Sequence, residues 1–231
     1  MKRTGIFLMA IAAMLSMGIV SCNMGENNNG GNTTDEWVDL GLPSGLLWAK
    51  CNLGANAPEE YGNYYAWGET QPKEVYDWST YRYSTVDGDS NLQTLTKYNT
   101  SSDLGTIDNL TTLQAVDDAA TQVLGNGART PTKEEWQELI DNTTVEWTTV
   151  NGVNGRKFTG SNGNTLFLPA SGGRYDSEHD WVTGSSLYWS SSLYTSHPYW
   201  AWVLDFFSDD QGMYHDNCRC LGFSVRAVRQ K

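Results

Sequence analysis

The stretch Arg129-Thr130-Pro131-Thr132-Lys133-Glu134-Glu135-Trp136-Gln137-Glu138-Leu139-Ile140 constrains the fold more than any other part of the chain. Pro131 sets an extended approach and disfavours helix at Thr130. Thr132 is then a good N-cap, because its hydroxyl can accept a backbone N–H that the first turn leaves unpaired. Glu135, three residues on, can reach back to complete a capping box. Glu134 and Glu135 also suit the positive end of the helix dipole. Trp136, Leu139 and Ile140 follow at i, i+3 and i+4, which turns one apolar face inward, and Asn142 is a stop. A short helix that pins a large ring into a core is expected. Its carboxylates read as cap and solvated face, not as a catalytic pair.

A second helix is expected just before it. Val116, Ala119, Ala120, Val123 and Leu124 fall at helical spacing, and Gly125 ends the run. Most of the remaining chain reads as short strands. Trp37-Val38-Asp39-Leu40 and Leu46 to Cys51 flank the turn Leu42-Pro43-Ser44-Gly45. Val145 to Val150 and Arg156 to Gly160 flank the turn 151–155, and Asn162-Gly163 leads into Thr165 to Pro169. Leu187 to Ser191, Tyr199 to Phe206 and Phe223 to Val228 complete the strands. In the second of these, Trp200, Trp202, Leu204 and Phe206 share one face. Twenty-three glycines suit so many turns, and 10 Trp with 12 Tyr can fill a large core for a single domain. Thr70 to Thr111 is polar, Tyr-rich and weakly periodic. It reads as a long insertion of the kind that is often functional or mobile.

The N-terminus reads as a targeting segment. Lys2 and Arg3 precede an apolar run, Ile6 to Leu15, too short to span a bilayer. Ile19-Val20-Ser21-Cys22 resembles the bacterial lipobox, and the resemblance implies cleavage before Cys22 and a diacylglyceryl group on its sulfur. Residues 1–21 are then a lipoprotein signal peptide, and 22–35, rich in Gly and Asn, a flexible tether. Residues 36–231 form the domain. Loss of Lys2 and Arg3 takes the formal charge from −12 to −14. Such an acidic surface repels phosphate backbones, so nucleic acid is not an expected partner. No second apolar run reaches transmembrane length, which leaves the lipid as the membrane contact. Cys51, Cys218 and Cys220 cannot all pair with one another. In an extended strand Cys218 and Cys220 would share a face with their Cβ atoms too far apart for an easy bridge. Pairing of Cys51 with one of them and free buried thiols both remain open.

Several motifs occur in order: Val38-Asp39-Leu40-Gly41-Leu42-Pro43-Ser44-Gly45-Leu46-Leu47-Trp48-Ala49; Tyr61-Gly62-Asn63-Tyr64-Tyr65-Ala66-Trp67-Gly68-Glu69; Asp117-Asp118-Ala119-Ala120; Arg129-Thr130-Pro131-Thr132 with Glu135-Trp136; Phe167-Leu168-Pro169-Ala170; Gly172-Gly173-Arg174; Tyr188-Trp189-Ser190-Ser191; and Gly222-Phe223-Ser224-Val225-Arg226. Together, over about residues 36–229, they resemble the Fibrobacter succinogenes major paralogous domain family of bacterial envelope proteins. The resemblance implies a C-type-lectin-like α+β domain related to the formylglycine-generating enzymes, with small twisted antiparallel sheets, two short helices, long loops, and termini that meet in one sheet. It also implies a place in the cell envelope, and with the lipobox at Cys22 the expected location is lipid-anchored at the outer membrane.

The enzyme relatives bind copper through a cysteine pair shortly before the closing strand. Cys218 and Cys220 lie there with one residue between them instead of several, so the oxidase reading and copper are disfavoured. Calcium needs clustered oxygen ligands. Asp205, Asp209, Asp210, Asp216 and Asn217 supply oxygens, which leaves calcium admissible, although a solvated acidic loop accounts for them more simply. No protein metal site is assigned, and no catalytic residue. His179, His197 and His215 stand beside no nucleophile motif. Trp48, Trp67, Trp136 and Trp189 sit in patterned segments and are expected in the core. Trp78, Tyr81, Tyr83, Trp181, Tyr194 and Tyr199 lie in or beside polar loops. The expected ligand-binding set is therefore Trp78, Tyr81, Trp181, Tyr194, Tyr199, Asp209 and Asp210, binding a glycan or a protein without catalysis. A purely structural surface or adhesin component is the remaining alternative.

Overall fold

Turns cut this chain into many short strands. In the computed structural model, which describes residues 36–86, 93–180 and 184–231, the first strands are β1 (Trp37–Asp39), β2 (Leu47–Ala49), β3 (Tyr64–Tyr65), β4 (Ser84–Val86) and β5 (Gln93–Leu95). The helices α1 (Ala119–Leu124) and α2 (Lys133–Asp141) follow, and then β6 (Thr144–Val150), β7 (Val153–Thr159), β8 (Thr165–Pro169), β9 (Gly173–Tyr175) and β10 (Glu178–Asp180). The last strands are β11 (Ser186–Leu193), β12 (Trp200–Phe206), β13 (Gln211–Cys218), β14 (Phe223–Ser224) and β15 (Val228–Arg229). The expected leader, the tether, Cys22 and Trp181 lie outside the described residues.

Five strands form the central sheet, in the order β13-β12-β11-β14-β3. Its organising element is β11, all eight of whose residues are buried. Side chains alternate across a strand, so a strand buried on both faces must serve two cores. Leu187, Trp189 and Leu193 enter one cluster, with Trp67, Tyr76, Tyr81, Tyr83, Tyr98 and Phe223. Tyr188 enters the other, with Trp48, Trp136, Leu139, Phe158, Leu204 and Phe206. The second core is covered by α2, by β6-β7-β8 and by β1-β2-β15. In that last sheet the first and last strands flank β2, so the ends of the described domain meet, as the resemblance implied.

The helix α2 forms as its residues dictate. Thr132 Oγ1 accepts from Glu135 N, Glu135 Oε2 accepts from Thr132 N, and Asn142 is the C-cap. Arg129 donates to both carboxylate oxygens of Glu135, at 2.6 and 2.5 Å, which fixes the box from outside. Trp136 is fully buried. Its ring lies 4.7 Å from that of Trp48, and its Nε1 donates to Trp189 O at 3.2 Å. The β6–β7 hairpin is tighter than expected. Asn151 and Gly152, at φ 49° and 86°, make a two-residue turn with both central residues left-handed, so β7 already begins at Val153.

The α+β, C-type-lectin-like class expected from the sequence is overturned. The fold is predominantly β, with 38% of residues in strands and 11% helical. One reason lies in α1, which is only six residues long. The apolar spacing from Val116 suggested an earlier start, but 115–117 is a 3-10 turn. Asp118 caps the helix instead, its side chain accepting from Ala120 N and Thr121 N. Val116 and Val123 are 65% and 45% exposed, and only Ala119 and Ala120 are buried. Asp118 also accepts from the Thr130 amide and hydroxyl, so its cap welds α1 to the approach of α2. Burial pushes its carboxyl pKa up against those bonds.

The insertion after Thr70 also differs from expectation, because much of it is core. Tyr76, Tyr81, Tyr83 and Tyr98 are all 7% exposed or less. The hydroxyls of Tyr83 and Tyr98 donate to the Asp117 carboxylate at 2.5 and 2.6 Å, and Lys97 Nζ joins them at 2.5 Å. The fully buried Arg219 fastens the insertion to the end of β13. It donates to the carbonyls of Lys97, Tyr98 and Pro198 and to the Tyr81 hydroxyl, at 2.8–3.0 Å. Arg226 plays the same part for β2, donating to the carbonyls of Ala49, Lys50 and Phe167 and to Asn52 Oδ1. Arg226 gives all five of its donors, and Arg219 three of its four bonds, to carbonyl oxygens, so buried backbone acceptors are satisfied where no ladder reaches them.

Candidate functional site

The expected binding residues do not converge on one place. Asp209 and Asp210 sit in the β12–β13 turn, where Asp210 accepts from Gln211 N and the Tyr214 hydroxyl. Tyr194 and Tyr199 lie beyond the opposite end of β12, about 20 Å away at a strand rise of about 3.3 Å per residue. Tyr81 is a core residue whose hydroxyl donates to Trp67 O at 2.7 Å. Trp78 packs edge-on against Tyr81 and Tyr199, with ring centroids 5.4 and 5.3 Å apart. The Tyr199 hydroxyl donates to the Gln93 carbonyl. These three rings pin the insertion to the sheet.

Tyr194 stands in different company. Two irregularities in the central sheet assemble the group. Between β12 and β13 the pairs Ala201↔Asn217 and Val203↔Tyr214 leave His215 and Asp216 opposite the single Trp202. This is a β-bulge, which re-aims side chains. Between β11 and β12 the pairs Trp189↔Val203 and Leu193↔Ala201 place three serines, Ser190 to Ser192, against Trp202 alone. The small side chains let other segments approach: Ser191 N donates to Pro131 O, and Ser192 Oγ accepts from Lys133 N. The face of β12 that buries Leu204 and Phe206 beneath α2 therefore continues past that helix. There Trp200 and Trp202 emerge half-buried.

On this shelf Tyr194 stacks on His215, with centroids 3.9 Å apart and an interplanar angle of 5°. Trp202 meets both rings edge-on, at 5.6 and 5.1 Å. Trp200 stacks on Tyr194 at 6.2 Å, and the exposed His197 lies 4.9 Å from Trp200. Lys133 Nζ sits over the Trp202 ring at 4.5 Å. His215 Nδ1 is buried without a hydrogen-bond partner. The sequence placed Trp200 and Trp202 on one strand face and set the histidines beside no nucleophile motif. The two tryptophans two residues apart, with Tyr194 just upstream, were the available signal.

One edge of the shelf carries sulfur. Cys218 pairs across the ladder with Trp200. The strand ends at Cys218, and Leu221 N donates back to Cys218 O at 3.1 Å, closing a turn. The chain therefore bends where an extended run would have kept the thiols apart. Cys218 receives hydrogen bonds from the Cys220 thiol and from the Trp200 indole, which hold its pKa below the ordinary thiol value against burial. Cys220, donating that proton and buried, is pushed up. Both thiols are free, so neither pairs with Cys51.

His179 belongs to a separate polar group. Its Nε2 lies 2.7 Å from the Tyr64 hydroxyl and 3.0 Å from Ser171 O. Ser171 Oγ meets Ser186 and Ser224 hydroxyls at 2.7 and 2.8 Å. Burial pushes the Tyr64 hydroxyl well above its usual range, so it serves as a donor and not as a base. A cavity lined by Tyr65, Trp67, Leu113, Trp189 and Val225 has room for about one water. Among the described residues, no three His, Cys, Asp or Glu side chains are grouped to hold a metal ion, and no helix is long and apolar enough to cross a membrane. Comparison of the chain with protein-family models, curated proteins and solved structures finds no match.

Proposed function

We propose that the chain is a non-catalytic glycan-binding domain of the bacterial cell envelope, held at the outer membrane by a lipid on Cys22. The observation that carries the binding reading is the half-exposed shelf of Tyr194, Trp200, Trp202 and His215. Stacked, mutually braced rings offer a flat apolar surface at low entropic cost, suited to the C–H face of a sugar ring. His197 and Lys133 at its rim supply the few polar groups that fix a ligand's orientation. The lipid anchor rests on Ile19-Val20-Ser21-Cys22, and the envelope setting on the motifs that resemble the Fibrobacter succinogenes paralogous family.

The test is a glycan array probed with residues 36–231, with and without calcium, beside Trp202→Ala and Tyr194→Ala. Binding by the parent that falls at least tenfold in both variants is expected. Silence of the parent on the array, or binding that both variants retain, refutes the reading. A signal that depends on calcium and is lost in Asp209→Asn/Asp210→Asn would move the site to the β12–β13 turn. For the anchor, Cys22→Ser should leave the membrane fraction, and a variant that stays there with lipid attached refutes the assignment.

A further inference from the structure

We propose that Cys218 and Cys220 form a dithiol–disulfide exchange site, with Cys218 as the attacking thiol, Cys220 as the resolving thiol, and a small-molecule or protein disulfide as co-substrate. Geometry carries the inference. Two residues of extended strand span about 6.6 Å, close to the upper limit for a disulfide. Here the turn closed by Leu221 N and Cys218 O shortens that span, so the two thiols face one another across a bend and influence each other's ionisation. Arg219, between them, cannot swing out. It is fully buried and held by three carbonyls and a tyrosine hydroxyl, which fix the backbone between the two cysteines.

The two sulfurs are also placed differently, as exchange requires. Cys218 is half-buried at the edge of the shelf, within reach of a disulfide in solution, whereas Cys220 is 3% exposed. Donors from the Trp200 indole and the Cys220 thiol stabilise negative charge on Cys218, and the thiolate is the attacking species. No other acid or base is needed to choose which sulfur reacts first.

The chemistry balances without an external oxidant beyond the disulfide itself. The Cys218 thiolate attacks one sulfur of R–S–S–R, a mixed disulfide forms, and one R–S⁻ leaves and takes up a proton. Cys220, losing its proton to solvent, then attacks Cys218 Sγ and expels the second R–S⁻. The co-substrate is reduced to two thiols, and the two cysteines are oxidised to one disulfide.

The test uses the full chain, reduced, freed of reductant and equilibrated with mixtures of reduced and oxidised glutathione. The samples are then acid-quenched, alkylated and mapped by peptide mass. Under oxidising mixtures the peptide spanning 218–220 should lose two hydrogens and resist alkylation. Cys220→Ser should instead accumulate glutathione on Cys218, and Cys218→Ser should leave Cys220 unmodified. Iodoacetamide should label Cys218 with a midpoint below the value near 8.5 of an ordinary thiol. The proposal fails if both thiols stay open to alkylation at the most oxidising ratio. It also fails if Cys218 joins Cys51 instead, or if Cys220→Ser takes up no glutathione. The unsubstituted chain alone decides the main point, so a variant that misfolds does not protect the idea.

Discussion

Replacing Trp136 by alanine tests whether the helix α2 closes the second core. The side chain is fully buried, and its ring faces Trp48 at 4.7 Å and Tyr188 at 5.9 Å. Emptying such a site costs about 3–5 kcal/mol, because rigid neighbours cannot fill the space. Those neighbours are themselves buried rings anchored in separate strands, which places the expectation in the upper half of the range. The lost Nε1 bond to Trp189 O adds about 1 kcal/mol. A total of about 5–6 kcal/mol is expected, or a midpoint lowered by roughly 10–24 °C for a domain of this size. Trp136→Phe keeps most of the ring contact and loses the N–H bond and the second ring, so it should cost about 1–2 kcal/mol. Thermal unfolding followed by far-ultraviolet circular dichroism, with denaturant titration for the free energies, separates the three proteins. A Trp136→Ala midpoint within 2 °C of the parent would refute the packing argument. Equal losses for Ala and Phe would refute the division between ring and hydrogen bond.

Thr132→Ala should cost about 1 kcal/mol through the lost cap, measured in the same titration, and an unchanged denaturant midpoint would contradict the capping box. Arg219→Met leaves the carbonyls of Lys97, Tyr98 and Pro198 without a buried donor, at about 1–3 kcal/mol each. It should destabilise more than Thr132→Ala and quicken limited proteolysis within 70–111; cleavage unchanged there would sink that role. Burial would raise the pKa of Asp117, but hydrogen bonds from Lys97, Tyr83 and Tyr98 outweigh it and hold it below the ordinary carboxylate value. Its contribution to stability is thus complete above the unfolded value of about 3.9 and is lost as pH falls through the lower folded one. Asp118, pushed up, opposes it in the same range, so the measurement compares the parent with Asp117→Asn. The variant should lose stability less steeply between about pH 4 and pH 2, and an identical acid slope would refute the network.

Local chemistry made part of this fold legible. The cap, box and apolar face of α2 lie within twelve residues, so nothing distant had to be known. The Asn151-Gly152 and Asn162-Gly163 turns announced themselves for the same reason, although the length of the first did not, because a two-residue and a five-residue turn compete over the same residues. Trp48, Trp67, Trp136 and Trp189 were placed correctly in the core, where volume alone argues for burial. Helical spacing from Val116 misled, because the Asp118 side chain offered the backbone a better start, secured by Thr130 twelve residues on.

What only the tertiary structure decided depends on contacts between distant segments. Arg219 looks like an ordinary polar residue until Lys97, Tyr98 and Pro198 surround it, and the tyrosines near it become core instead of a surface array. The shelf of Tyr194, Trp200, Trp202 and His215 needs two strand irregularities and a helix that stops short of covering β12, none of which alternation along a strand encodes. The meeting of Cys218 and Cys220 follows from where β13 ends. Two further residues of strand would have set the thiols on one face of an extended run, and pairing with β12, not the residues themselves, sets that boundary.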